Sequence, residues 1–182
     1  FVSFDGGSSW AASNSGILNL NVRGIAIDPV TPGRVYAATR SGLYRSTDGG
    51  ATWAGANNNL NDPVLNCVTI DPTTPETLYV GTVNDSVYRS TNGGNSWQRR
   101  NNGMNADTIT GVACVPNSQR VYAVSPGDVD DGRNPGVYVS DNRGDNWTLF
   151  VTNLAPQATQ SVLVDSAGVV LVGTLGGGVY RR

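Results

Sequence analysis

Apolar residues in this chain come in short, dense runs that return in a fixed order. One set reads GIAIDP, CVTIDP, GVACVP and SVLVDS. A second reads RVYAAT, TLYVGT, RVYAVS and VVLVGT, and a third GLYRS, SVYRS, GVYVS and GVYRR. Each run is rich in Val and Ile, spans four to six residues, and is bounded by Pro, Gly, Asp or Asn. Short apolar runs of β-branched residues between turn formers read as buried strands rather than helices. No apolar run reaches about 18 residues, so no span across a membrane is expected.

The order is periodic. An octamer of polar and small residues ending in Trp follows each third run or opens the chain: SFDGGSSW at 3–10, STDGGATW at 46–53, STNGGNSW at 90–97 and SDNRGDNW at 140–147. Nine residues before each Trp stands an aromatic, namely Phe1, Tyr44, Tyr88 and Tyr138. Seven after it stands Ile17, Leu60, Met104 or Leu154, and fifteen after it Ile25, Val68, Val112 or Val162 opens the next strand. A fourth short strand begins at the Trp. The unit is therefore a four-stranded antiparallel meander of about 43 residues, a period typical of propeller blades.

The octamer is the hairpin between third and fourth strands. Asp5, Asp48, Asn92 and Asn142 have short side chains that can accept hydrogen bonds from nearby backbone N–H groups. The glycines permit left-handed backbone. Trp10, Trp53, Trp97 and Trp147 are large enough to fill the space between adjacent sheets, provided each indole N–H finds an acceptor.

These octamers resemble the Asp-box, or BNR, repeat, Ser/Thr-x-Asp-x-Gly-x-x-Trp. SFDGGSSW and STDGGATW match it fully, and the other two carry Asn for Asp. The resemblance covers essentially the whole chain and implies a β-propeller. The repeat occurs in sialidases, xyloglucan-degrading enzymes, sortilin-type receptors and a photosystem II assembly factor, so function must be argued from sites. The expected fold is all-β: one domain, residues 1–182, of four propeller blades, with junctions near 15–21, 58–64, 102–108 and 152–159. The first residues, Phe1–Val2–Ser3, align with third-strand residues, and so do Tyr180–Arg181–Arg182. Pairing of the N- and C-terminal strands is expected to close the ring. A closed four-bladed monomer, a homodimer forming a ring of eight and an excerpt of a longer array all satisfy this pattern. The chain opens on Phe1 and reads as a processed protein or an excised segment.

Composition narrows the chemistry. There is no His, all 12 basic residues are Arg, and the net charge is −2. The usual general base and metal ligand are thus missing, and no basic patch suits nucleic acid. Cys67 and Cys114 sit in apolar strands and read as buried thiols, although a disulfide is not decided by sequence.

Variation concentrates where loops carry function. Insertions fall between the first strand of a unit and the following aromatic, and SPGDVDDGRNPG at 125–136 is the longest. In a propeller the loops joining second and third strands share a face with the inter-blade connections, opposite the octamer turns. Ligand-face candidates are therefore Asp128, Asp130, Asp131 and Arg133 in the long loop, with Asp85, Asp107, Asp62 and Arg40 beside it. Three close carboxylates could hold Ca²⁺, although DVDDG departs from the EF-hand spacing.

A glycosidase needs two carboxylates flanking the scissile bond. The one Glu, Glu76, lies in a hairpin on the octamer face, and Asp28 and Asp71 precede Pro at strand ends. A pair would have to come from Asp62, Asp85, Asp107 or the long loop. The sequence favours a non-enzymatic binding or scaffold propeller presenting Asn-rich loops to a protein or carbohydrate partner, with a glycoside hydrolase as the alternative. An extracellular or periplasmic location fits the low charge and the resemblance.

Overall fold

The computed structural model describes residues 1–127, 135–151 and 158–182. They form fifteen strands and no helix. Blade one is β1 (Val22–Ile27), β2 (Val35–Thr39), β3 (Gly42–Ser46) and β4 (Ala54–Gly55). Blade two is β5 (Leu65–Ile70), β6 (Leu78–Thr82), β7 (Val87–Ser90) and β8 (Gln98–Arg99). Blade three is β9 (Gly111–Cys114), β10 (Val121–Ser125), β11 (Gly136–Ser140) and β12 (Thr148–Val151), and blade four is β13 (Thr159–Val164), β14 (Val170–Thr174) and β15 (Gly178–Arg181). Within each blade neighbours pair antiparallel in sequence order. The first strands pack on one another in turn, β1 on β5, β5 on β9 and β9 on β13, so they line the axis of a β-propeller.

Second strands are buried on both faces: every residue of β2, β6 and β10 is buried. That is why these runs are continuous rather than alternating. The core lies between blades. Tyr36, Ala38 and Leu43 of blade one meet Leu65, Val68, Val80, Tyr88 and Trp97 of blade two. Tyr79 and Val87 of blade two repeat the contact with Val112, Ala123, Tyr138 and Trp147 of blade three. Tyr122, Val124 and Val137 repeat it with Val170 and Val172 of blade four. Each fully buried Leu, Val or aromatic side chain stabilises its junction by about 1.5–3 kcal/mol.

Trp97 and Trp147 lock the first two of these junctions, and Trp53 ties blade one to the N-terminal segment in the same way. Trp53, Trp97 and Trp147 donate their indole N–H to the carbonyls of Ser13, Ala56 and Arg100 at 2.9, 2.9 and 3.0 Å. Their backbone N–H groups bond the carbonyls of Ser15, Asn58 and Asn102. Receiving those bonds requires a left-handed residue in the connector, supplied by Gly16 (φ 96°), Asn59 (φ 63°) and Gly103 (φ 82°).

Two expectations fail at the termini. Among the described residues the N-terminal segment does not pair with β15. Val2 pairs with Ala11 instead, in the register that Arg45 has with Ala54, so the sheet of blade four has three strands. A local hairpin in the repeat's own register outcompetes the distant pairing, because it needs no long loop closure. Trp10 does not wedge between sheets either: it is 64% exposed, and its indole N–H turns back to the Gly7 carbonyl at 3.0 Å. Among the described residues no sheet lies beside it to receive it.

Candidate functional site

The turns between second and third strands share a face with the inter-blade connectors, because they hydrogen-bond to them. Gly42 N donates to Pro63 O at 2.7 Å, Val83 N to Val64 O at 3.0 Å, and Ser86 N to Asp107 O at 2.7 Å. Ser86 Oγ and Thr108 Oγ1 add bonds at 2.5 Å to the carbonyls of Ala106 and Val83. The face is thus a set of loops fastened to a rigid sheet core, the arrangement that lets loops present function at low entropic cost.

Three of the sequence-predicted residues gather around the turn at 83–86. Asp62 is buried, and both its oxygens accept backbone N–H bonds, from Val64 at 2.9 Å and Asn84 at 2.8 Å. It braces connector to turn. Asp85 is gripped on both oxygens: Tyr88 Oη donates to Oδ2, and Arg99 lies 2.7 Å from Oδ1. Burial, then the hydrogen bond to Asp85, pushes the Tyr88 hydroxyl up to about 12, so it stays a donor. The Asp107 carbonyl bonds the same turn. Arg40 is exposed on the equivalent turn of blade one, where its N–H bonds Asn21 O at 3.3 Å. Asp128, Asp130, Asp131 and Arg133, with the proposed Ca²⁺ role of the first three, lie outside the described residues. Among the described residues no three His, Cys, Asp or Glu side chains gather to hold a metal ion.

Tyr88 and Arg99 join this site without having been singled out in the sequence. Tyr88 was visible only as the repeat's aromatic. In blades one and three that aromatic ties the third strand to a connector, Tyr44 Oη accepting from Leu18 N and Tyr138 Oη donating to Asn105 O. The available signal was Asp85 three residues before Tyr88, which the other units lack.

The opposite face carries the octamer turns, fastened to the hairpins between first and second strands: Gly49 N bonds Gly33 O, Gly93 N bonds Glu76 O, and Arg143 N bonds Gln119 O. Inside each turn the acidic or amide side chain accepts from the backbone four residues on, as Asp48 Oδ1 does from Thr52 N at 2.9 Å and Asn92 Oδ1 from Ser96 N at 3.0 Å. Asp5 and Asn142 repeat the bond with Ser9 and Asn146. Hydrogen bonds from Thr52, then Ser46, hold the Asp48 carboxyl down at about 2, and those from Ser9, then Ser3, do the same for Asp5. Glu76 pairs with Arg34 at 2.5 Å, and Arg34 also reaches the buried Asp28. Burial pushes the Asp28 carboxyl up, but the backbone N–H groups of Thr31 and Val30 and the Arg34 guanidinium outweigh it and hold the carboxyl low. The cysteines are free thiols, and burial pushes Cys67 up to about 12 and raises Cys114 too.

Residues 41–161, more than half of the chain, match the Sortilin-Vps10 family model, described as Sortilin, neurotensin receptor 3. No curated protein sequence matches the chain. Among solved structures it is similar to an ancestral GH74 enzyme, with 26% identity and a TM-score of 0.69 over 88% of this chain and 25% of that one. It is also similar to the extracellular domain of a putative hybrid two-component system, BT3049, from B. thetaiotaomicron, with 17% identity and a TM-score of 0.70 over 95% of this chain and 24% of that one. YCF48 bound to D1 peptide gives 12% identity and a TM-score of 0.59 over 88% of this chain and 48% of that one. The chain thus spans about a quarter of the length of the first two.

Proposed function

The chain belongs to the Sortilin-Vps10 family, and from that premise we propose that it is a non-enzymatic binding propeller, exported from the cytoplasm, that presents its connector face to a protein or peptide partner. The observation that carries the reading is the commitment of two carboxylates among the described residues of that face, Asp62 and Asp85. Asp62 spends both oxygens on backbone N–H groups, and Asp85 spends both on Tyr88 and Arg99. A glycosidic acid and base need carboxyls open to the substrate. What the face offers instead is the exposed Arg40, the partly exposed Arg99 and the exposed amide of the connector residue Asn61, which suit extended backbone. One similar solved structure is an extracellular domain, and another, YCF48, is seen with a bound peptide; both likenesses lend the reading support.

A second reading, a glycoside hydrolase propeller or part of one, is favoured by the 26% identity to the ancestral GH74 enzyme. One experiment separates them. The chain is assayed on aryl glycosides and xyloglucan oligomers and is applied in parallel to arrays of peptides and oligosaccharides. The binding reading expects capture of peptides without turnover, lost in Arg40→Glu/Arg99→Glu and kept in Glu76→Gln on the other face. Turnover of a glycoside, or peptide capture unaffected by the double variant, would overturn it.

A further inference from the structure

The fourth residue of every octamer has left-handed backbone. Gly6, Gly49 and Gly93 fill that position in three turns, at φ 70°, 73° and 66°, and Arg143 fills it in the last at φ 57°. Such backbone disfavours a side chain. Among the described residues the other non-glycine residues with positive φ are Asn59, Ser86 and Asn117, all short and polar. A long charged side chain held there against strain points to a use for it. The Arg143 guanidinium has no hydrogen bond or ion pair with any described residue, and its Nε is buried.

At the equivalent place between blades one and two the charges are matched. Arg34 donates through Nε to Asp28 Oδ2 at 2.6 Å and through Nη1 to Glu76 Oε1 at 2.5 Å. That pair covers the turn, since a Cβ on Gly93 would meet Glu76 Oε2 at 2.6 Å and Arg34 Nη1 at 3.1 Å. Equivalent backbone bonds align the next junction with this one: Thr77 stands for Arg34, Gln119 for Glu76 and Arg143 for Gly93. The base has moved from hairpin to octamer, and the acid has become an amide. Asp71, the counterpart of Asp28, spends Oδ1 on the N–H groups of Thr73 and Thr74 and Oδ2 on the Thr74 hydroxyl. Nearby charges widen the imbalance. Arg89 Nη2 and Arg100 Nε lie 3.0 and 3.5 Å from a single oxygen, Asp145 Oδ1, where the first junction has Arg45, Ala56 and Asn95. The Arg100 Nε is also buried without a hydrogen bond. With Arg120 paired to Asp141, four arginines around this turn meet two exposed carboxylates, in a chain of net charge −2.

We propose that this turn, between blades two and three on the octamer face, takes an acidic segment of a protein partner. One carboxylate seats on Arg143 as Glu76 seats on Arg34, and a neighbouring one on Arg100. The planar guanidinium matches a carboxylate edge to edge, and a charged hydrogen bond of this kind is stronger than a neutral one. Asp145 steadies Arg89 and Arg100, and as a like charge it limits how tightly the acidic segment is held. The surface lies on the face opposite the connectors, so the inference goes beyond the connector-face reading and does not rest on it.

The test is fluorescence anisotropy of a labelled hexaglutamate peptide titrated with the whole chain, beside thermal unfolding of the unbound chain. Arg143→Gly and Arg100→Ala install the residues of the first junction and keep the backbone carbonyls that Tyr79, Arg89 and Trp147 use, so both should fold. Each should weaken binding about tenfold, the factor that one charge-assisted hydrogen bond carries. Asp145→Asn should tighten it. Arg40→Ala, which removes the same charge from the connector face, should leave it unchanged. Arg143→Gly should also hold or raise the unfolding midpoint, because it relieves left-handed strain. No binding by the parent chain, unchanged binding in either arginine variant, weaker binding in Asp145→Asn, an equal loss in Arg40→Ala, or a lowered midpoint in Arg143→Gly would each overturn the inference. The connector-face reading is decided separately, by Arg40→Glu/Arg99→Glu.

Discussion

Trp97 of blade two donates its indole N–H to the carbonyl of Ala56 in blade one at 2.9 Å, while its ring is 1% exposed. One side chain thus supplies both the wedge and the tie of a blade junction. Trp97→Ala should destabilise the chain by about 3–5 kcal/mol, the usual range for a large buried aromatic. Trp97→Phe keeps most of the bulk but orphans the carbonyl and should cost about 1–3 kcal/mol. Urea unfolding of the two variants checks the order.

Ser46 sits at the start of an octamer turn, 1% exposed, accepting from Gly50 N at 2.8 Å and donating to Asp48 Oδ1 at 2.7 Å. Ser46→Ala leaves a buried N–H without its acceptor and should cost about 1–3 kcal/mol. Ser90→Ala and Ser140→Ala should behave alike, since their hydroxyls accept from Gly94 N and Gly144 N. Thermal unfolding of the three variants side by side measures this.

The connector glycines give a steric prediction. A Cβ on Gly16 would overlap the Trp53 carbonyl oxygen, and one on Gly103 the Trp147 carbonyl oxygen. Gly49 has φ 73° and nothing within 4 Å of an added Cβ. Gly49→Ala should therefore cost only the left-handed penalty of about 1–2 kcal/mol, and Gly16→Ala and Gly103→Ala clearly more. Denaturant midpoints of the three decide it.

Acid should loosen the octamer turns. The Asp48 carboxyl lies at about 2 in the folded chain against 3.8 ordinarily. A folded value below the unfolded one means that the contribution is fully present above pH 3.8 and is lost as pH falls toward 2. Asp48→Asn, the residue already present at position 92, removes that titration. The stability difference between the parent chain and Asp48→Asn should shrink across this window. A difference that stays flat would contradict the assignment.

How far the sequence reaches can be seen at particular residues. Second strands such as Val35–Thr39 were legible because burial on both faces leaves an unbroken apolar run. The octamer turns were legible because their bonds are local, i to i+2 and i to i+4. Asp62 was not legible as a brace, since its partner Asn84 N lies 22 residues away and the bond depends on tertiary placement. The pairing of Tyr88 and Arg99 with Asp85 was hidden for a related reason: periodicity marks a position shared by all units, not the one unit that uses it differently. Trp10 misled because the repeat assigns it a socket, and a socket needs a neighbouring blade.

The account rests on tryptophans that lock successive blades, and indole hydrogen exchange followed by NMR tests this most directly. The indole N–H groups of Trp97 and Trp147 should exchange as slowly as the amides of β6 and β10, because opening them means separating two blades. Exchange of both indoles at the rate of an unstructured peptide, in a chain whose strands remain protected, would contradict it.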